Sequence, residues 1–240
     1  MHQKEIPILM YHSIQSEPKG AILRGLSVPV RLFKLQMFIL KLFGYKGLCM
    51  TDLLPYLTGS KTGKVFGLTF DDGYLNNYMN ALNILKRYNF SATCYIVAGN
   101  IGGTNFWDLK KGVSEKKMMN KRQISQWIDY GMEIGSHSYS HTRLSSCNAS
   151  KLHKEIFMSK KELEAEFKVP INHFCYPYGD YSQEIIDQIR LAGYSSATTV
   201  IRGKVKPGSS LFELPRVLIN HRTFPHLLLL KIFGSYENRR

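Results

Sequence analysis

The sequence predicts an α/β protein built on a mostly parallel sheet. Apolar segments rich in β-branched and aromatic residues alternate along the chain with amphipathic ones, the pattern of strands joined by crossover helices. The 240 residues suffice to bury a large core, and 44% hydrophobic with 21% charged residues is ordinary for one globular domain. No internal repeat or domain-scale linker interrupts the series.

The first strand is expected over 6–11, Ile-Pro-Ile-Leu-Met-Tyr, and the first helix over 29–43. Residues 57–64 look like a phosphate-binding loop, but Val65 stands where Ser or Thr belongs, so they read as a turn. A strand over 65–70 and a helix over 75–88 follow, then a strand over 92–98 that carries Cys94. Residues 99–120 lack a clear period; so long a loop beside the polar strand ends is a natural substrate wall. Further helices are expected over 121–130, 149–167 and 182–192, with strands over 132–137, 173–177, 194–199 and 214–219.

The strand at 65–70 ends in two adjacent carboxylates, Asp71 and Asp72, and Gly73 permits the turn. His137 and His141 follow in Gly-Ser-His-Ser-Tyr-Ser-His, a spacing that sets two imidazoles about one helical turn apart. One carboxylate and two imidazoles suit a divalent ion, and three protein ligands leave positions open, as in hydrolytic rather than structural sites. Such an ion polarises a carbonyl and acidifies water, while a free carboxylate takes the proton. Adjacent strand residues point to opposite sides, so one of Asp71 and Asp72 ligates and the other reaches the water. Residue chemistry alone leaves open which.

Thr69-Phe70-Asp71-Asp72-Gly73, His137-Ser138-Tyr139-Ser140-His141 and Tyr176-Pro177-Tyr178-Gly179 resemble, in order, the first three motifs of the polysaccharide deacetylase family (carbohydrate esterase family 4). The similarity covers roughly residues 6–220. It implies a distorted (β/α) barrel of seven or eight mostly parallel strands, with the motifs at their C-terminal ends. It also implies Asp71 as general base and Asp72, His137 and His141 as metal ligands. Residues 1–223 then form the catalytic domain, and 224–240 an apolar helix and basic tail attached to it. Mixed nitrogen and oxygen ligation suits zinc; cobalt, nickel or iron also fit.

The third motif departs from the family's Arg-x-Pro-Tyr-Gly, because Cys175 holds the arginine position. A backbone donor survives any side-chain change, so the Tyr178 N–H can still serve the oxyanion. Arg216, in Leu-Pro-Arg-Val-Leu-Ile, is the candidate for the missing charge. Two histidines compete as general acid. His221 occupies the expected late position, whereas His12, at the end of the first strand, resembles the poly-N-acetylglucosamine deacetylase branch. Loss of the third-motif arginine points to the same branch and favours His12. Tyr11, Pro177 and Trp107 are candidate substrate contacts, although Tyr11 and Trp107 are residues that also pack cores. His2, His153, His173 and His226 lack such company and read as surface or core histidines.

The expected activity is removal of an N-acetyl group from an amino sugar in a surface polysaccharide or its lipid-linked precursor. Deformylation, O-acetyl ester hydrolysis and non-catalytic carbohydrate binding are the alternatives. Cys49, Cys94, Cys147 and Cys175 show no Cys-x-x-Cys spacing and read as free thiols. Met-His-Gln-Lys-Glu leads directly into the first strand, so a cytoplasmic enzyme is expected. A formal charge of +14 favours anionic partners. No nucleic-acid motif accompanies it. The lysine-punctuated apolar stretches 32–43 and 224–233 instead raise peripheral contact with an anionic membrane.

Overall fold

The computed structural model describes residues 5–234, 236 and 237; His2 and the terminal Arg239-Arg240 lie outside them. The strands are β1 (Ile8–Tyr11), β2 (Lys46–Leu48), β3 (Val65–Phe70), β4 (Thr93–Ile96), β5 (Glu133–Ser136), β6 (His173–Cys175), β7 (Ser196–Arg202) and β8 (Leu214–Leu218). They pair in parallel in the order β1-β8-β7-β6-β5-β4-β3-β2, and β1 also pairs with β3. All strands except β2 therefore form a closed barrel.

The barrel is distorted at β2. This short strand pairs with Val65, Phe66 and Gly67 of β3, while β4 pairs with Thr69 and Phe70. The helix α2 (Met50–Leu57) follows β2, and its Met50, Leu53 and Leu57 join Ile8, Val65, Tyr95 and Cys175 in one apolar cluster. Gly67 allows that approach: a Cβ there would stand 2.7 Å from Leu53 Cδ2.

The remaining helices form the outer layer: α1 (Val30–Leu42), α3 (Leu75–Asn80), α4 (Leu82–Tyr88), α5 (Phe106–Leu109), α6 (Lys121–Asp129), α7 (Ala149–His153), α8 (Ser159–Phe167), α9 (Gln183–Leu191) and α10 (Pro225–Phe233). A capping box between Asn120 and Gln123 starts α6. The expected helix over 75–88 is two, meeting at Ala81, and the one over 149–167 contains a π-helical turn at Lys154–Met158. The 99–120 segment is a loop except for a 3-10 turn at Ala98–Asn100 and the single turn of α5.

Strand alternation decides which side chains reach the site. Leu9, Tyr11, Phe66, Leu68, Phe70, Phe174, Tyr176 and Val217 belong to the cluster between barrel and helices. Their neighbours of opposite parity, among them Thr69, Asp71, Cys175 and Arg216, therefore face the barrel interior. Leu228 and Ile232 bury α10 in the outer layer, and Phe233 packs on Phe43 with centroids 5.4 Å apart.

Candidate active site

The charged residues converge at the C-terminal mouth of the barrel. Asp71 and Asp72 leave β3, His137 leaves β5, Cys175 ends β6, and Arg216 lies within β8. Asp71 is buried and receives two hydrogen bonds from Arg216, at 2.7 and 2.8 Å. The guanidinium also donates to Thr199 O, Thr69 Oγ1 and the Cys175 sulfur. Burial opposes the charge on Asp71, but Arg216 overcomes it and holds the carboxyl below its ordinary range. His12 Nε2 stands 3.7 Å from the same carboxylate.

Asp72 turns the other way because its backbone enters the left-handed region, with φ 71°, followed by Gly73 at φ 80°. Its Oδ1 lies 3.4 Å from His137 Nε2 and 3.3 Å from His141 Nε2. An ion with ligand bonds of about 2.1 Å in tetrahedral geometry needs donor atoms roughly 3.4 Å apart, so this trio fits a metal. The Nδ1 of His137 lies 2.7 Å from the Cys175 carbonyl, which only accepts. That contact protonates Nδ1 and leaves Nε2 free to ligate. Burial again opposes charge on Asp72, yet its contacts with His137 and His141 hold the carboxyl well below its usual range.

The His137–His141 segment is not the helical turn its spacing suggested. Ser138 and His141 have φ 62° and 55°, and the Ser138 hydroxyl accepts a hydrogen bond from the His141 N–H. Tyr178 is likewise left-handed, at φ 59°. Non-glycine residues in this region store roughly 1–3 kcal/mol each and cluster at functional sites. Glu155, buried in the π-helical turn, accepts hydrogen bonds from the N–H groups of Tyr139 and Ser140 and from the Ser140 hydroxyl. Sequence reasoning missed Glu155; a π-turn in an otherwise regular helix carries no signal in the residue pattern.

Trp107 stacks on His141 with centroids 4.4 Å apart, and the Tyr178 ring meets the same imidazole edge-on. The loop holding His12 is pinned by Asn77, which donates to the His12 carbonyl. His221 is half-exposed beside Arg24 and Arg222. Two expected substrate contacts need correction. Tyr11 is fully buried, bonded to Gln36 and packed on Phe33 and Phe70; alternation turns it outward as His12 turns in. Pro177 is buried at the first position of the turn Pro177–Gly179.

The family model for polysaccharide deacetylases matches residues 58–197. The chain belongs to the polysaccharide deacetylase family. It is 30% identical over 216 residues to the poly-beta-1,6-N-acetyl-D-glucosamine N-deacetylase of Staphylococcus aureus, covering 86% of this chain and 72% of that one. The deacetylase PplD of Streptococcus pyogenes, solved with acetate, superposes with a TM-score of 0.82 at 25% identity, covering 96% and 99% of the two chains. BC0361, a polysaccharide deacetylase from Bacillus cereus, gives 0.81 at 26% identity, covering 95% and 69%. The Asp72–His137–His141 trio and the Asp71–Arg216 pair thus sit on the fold of this hydrolase family.

Proposed function

We propose that the chain is a metal-dependent N-deacetylase acting on an amino sugar of a surface polysaccharide or its lipid-linked precursor. The observation that carries this reading is the division of labour between the adjacent carboxylates: Asp72 faces two imidazoles, whereas Asp71 faces Arg216 and His12. Zinc or a similar divalent ion held by Asp72, His137 and His141 would polarise the acetyl carbonyl and acidify a water.

Asp71, fixed in orientation by Arg216, takes the proton of the attacking water. The Tyr178 N–H donates to the oxyanion of the tetrahedral intermediate. His12 then protonates the departing amine nitrogen, because an amine leaves poorly as an anion. Its place beside Asp71 supports His12 over His221. Trp107, against His141, offers an aromatic face to the sugar ring.

Contact with an anionic membrane belongs to the same proposal. Leu35, Phe38, Leu42 and Phe43 at α1, with Leu230 and Phe233 of α10, are exposed, and neither helix contains an acidic residue. Arg31, Lys34 and Lys41 are exposed on α1, and basic, apolar helices of this kind lie in lipid interfaces. No helix among the described residues is long and apolar enough to cross a membrane. A location at the inner face of the membrane is part of this proposal, and the exposed apolar and basic residues of α1 support it.

Amine release from polymeric and lipid-linked N-acetylated sugars, with metal-stripped and metal-restored protein, tests the activity. Release that depends on metal is expected. Release of acetate from O-acetyl esters alone, or of formate from N-formyl sugars alone, would redirect the reading to the corresponding acyl group.

A further inference from the structure

The geometry points to a second subsite beside the candidate metal ligands, built to hold an anionic group, phosphate or carboxylate, carried by the substrate next to the reacting sugar. This inference rests on the deacetylase reading, because it places the reacting acyl group at His141 and the Tyr178 N–H. A groove of ≈ 380 Å³ opens there, lined by Lys111, His141, Thr142, Arg143, Ser146 and Tyr178. Its lining contains no carboxylate and two cations, Arg143 and Lys111, the latter paired with Asp108 just behind it.

The cations are arranged around one ring. The Lys111 ammonium lies 4.9 Å and the Arg143 guanidinium 4.8 Å from the centroid of Tyr178. Lys151 adds a third positive charge, with its ammonium 3.5 Å from the Thr142 hydroxyl. The nearby carboxylates are already committed. Asp108 is buried against Lys111 at 2.7 Å, and Asp180 accepts from the Ser145 N–H and hydroxyl at 2.8 and 2.9 Å. Arg143 and Lys151 make no ion pair among the described residues.

A guanidinium lying over an aromatic ring can still present an N–H edge, and that edge matches the paired oxygens of a phosphate or carboxylate. A neutral oligosaccharide would gain hydrogen bonds here but no charge pairing. A sugar phosphate, a phosphodiester-bearing polymer or a glycan with uronate residues would gain both.

The test measures binding of three probes to the metal-loaded protein at low and high salt: N-acetylglucosamine, N-acetylglucosamine 1-phosphate, and a disaccharide of N-acetylglucosamine with glucuronate. A tenfold or greater preference for a charged probe is expected, shrinking as salt rises. Arg143→Glu should bring the ratio of affinities close to one, whereas Lys61→Glu, the same charge change on an exposed turn, should leave it standing. Whether the phosphate or the carboxylate arm shows the larger effect identifies the anion. Equal affinity for neutral and charged probes would overturn the inference. So would a preference that survives Arg143→Glu and vanishes in His137→Ala, which would seat the anion on the metal. Amine release from polymeric and lipid-linked N-acetylated sugars, measured in parallel, separates the two claims: an anion preference without such release would sink the deacetylase reading and leave the subsite.

Discussion

Arg216 reaches Asp71 from β8, across the one strand β1 that lies between β8 and β3, and grips both carboxylate oxygens, at 2.7 and 2.8 Å. Both side chains are buried, and the Cys175 sulfur lies 3.2 Å from the same guanidinium. A charge delivered from β8 thus stands where the third motif of β6 carries a thiol. Replacing Arg216 by Ala should strand a buried carboxylate and cost about 3–5 kcal/mol of stability. Arg216→Lys keeps the charge but cannot form the paired contact, so it should fold better than Ala and still lose activity. Chemical denaturation and kcat for the two variants check this.

Glu155 orders the backbone between the two histidines without touching either ring. Glu155→Ala should lower metal affinity by roughly 10- to 100-fold, as loss of an outer-shell partner does. His137→Ala should abolish binding at this site. Isothermal titration with zinc compares them, and the wild type should melt at lower temperature after chelation.

His12 and His221 are separable by substitution. His12→Ala should reduce kcat by roughly 10²- to 10⁴-fold, the usual range for a general acid. His221→Ala should turn over at close to the wild-type rate, since His221 lies beside Arg24 and Arg222 rather than at Asp71. Steady-state amine release from one substrate measures both.

Glu17 ties the loop after β1 to the 99–120 loop through Lys116, at 2.7 Å. Burial opposes its charge, but Lys116 prevails and lowers the carboxyl pKa on folding. A lowered folded-state value gives stability that is present above the unfolded carboxylate pKa of about 4.3 and is lost as pH falls through the folded value. Glu17→Gln should therefore be less stable at neutral pH and less sensitive to acid below about pH 4.3. Melting temperatures across pH 3–7 would show the two curves converging at the acid end.

The site was legible because its residues stand at strand ends, where short motifs carry position as well as chemistry. The divergence of Asp71 and Asp72 follows from the rule that neighbours on a strand point apart, and the left-handed backbone of Asp72 completes it; which of the two faces the imidazoles was implied only by the family resemblance. Arg216 was visible as a lone cation in an apolar segment. The misses have local causes. β2 has three residues, too few for a period, and α2 carries Pro55 within a single apolar run. Tyr11 packs outward rather than lining the groove because alternation along β1 turns it away from the mouth as His12 turns in. Glu155 serves a loop 15 and 16 residues away through backbone contacts, which no spacing rule reveals.

The most direct test compares amine release by metal-loaded wild type and Asp71→Asn, with metal content measured in both. Asp71→Asn should retain the ion, because Asp72, His137 and His141 are intact, and should lose turnover. Equal release by the two proteins would contradict Asp71 as the base and, with it, the division of labour between the two carboxylates.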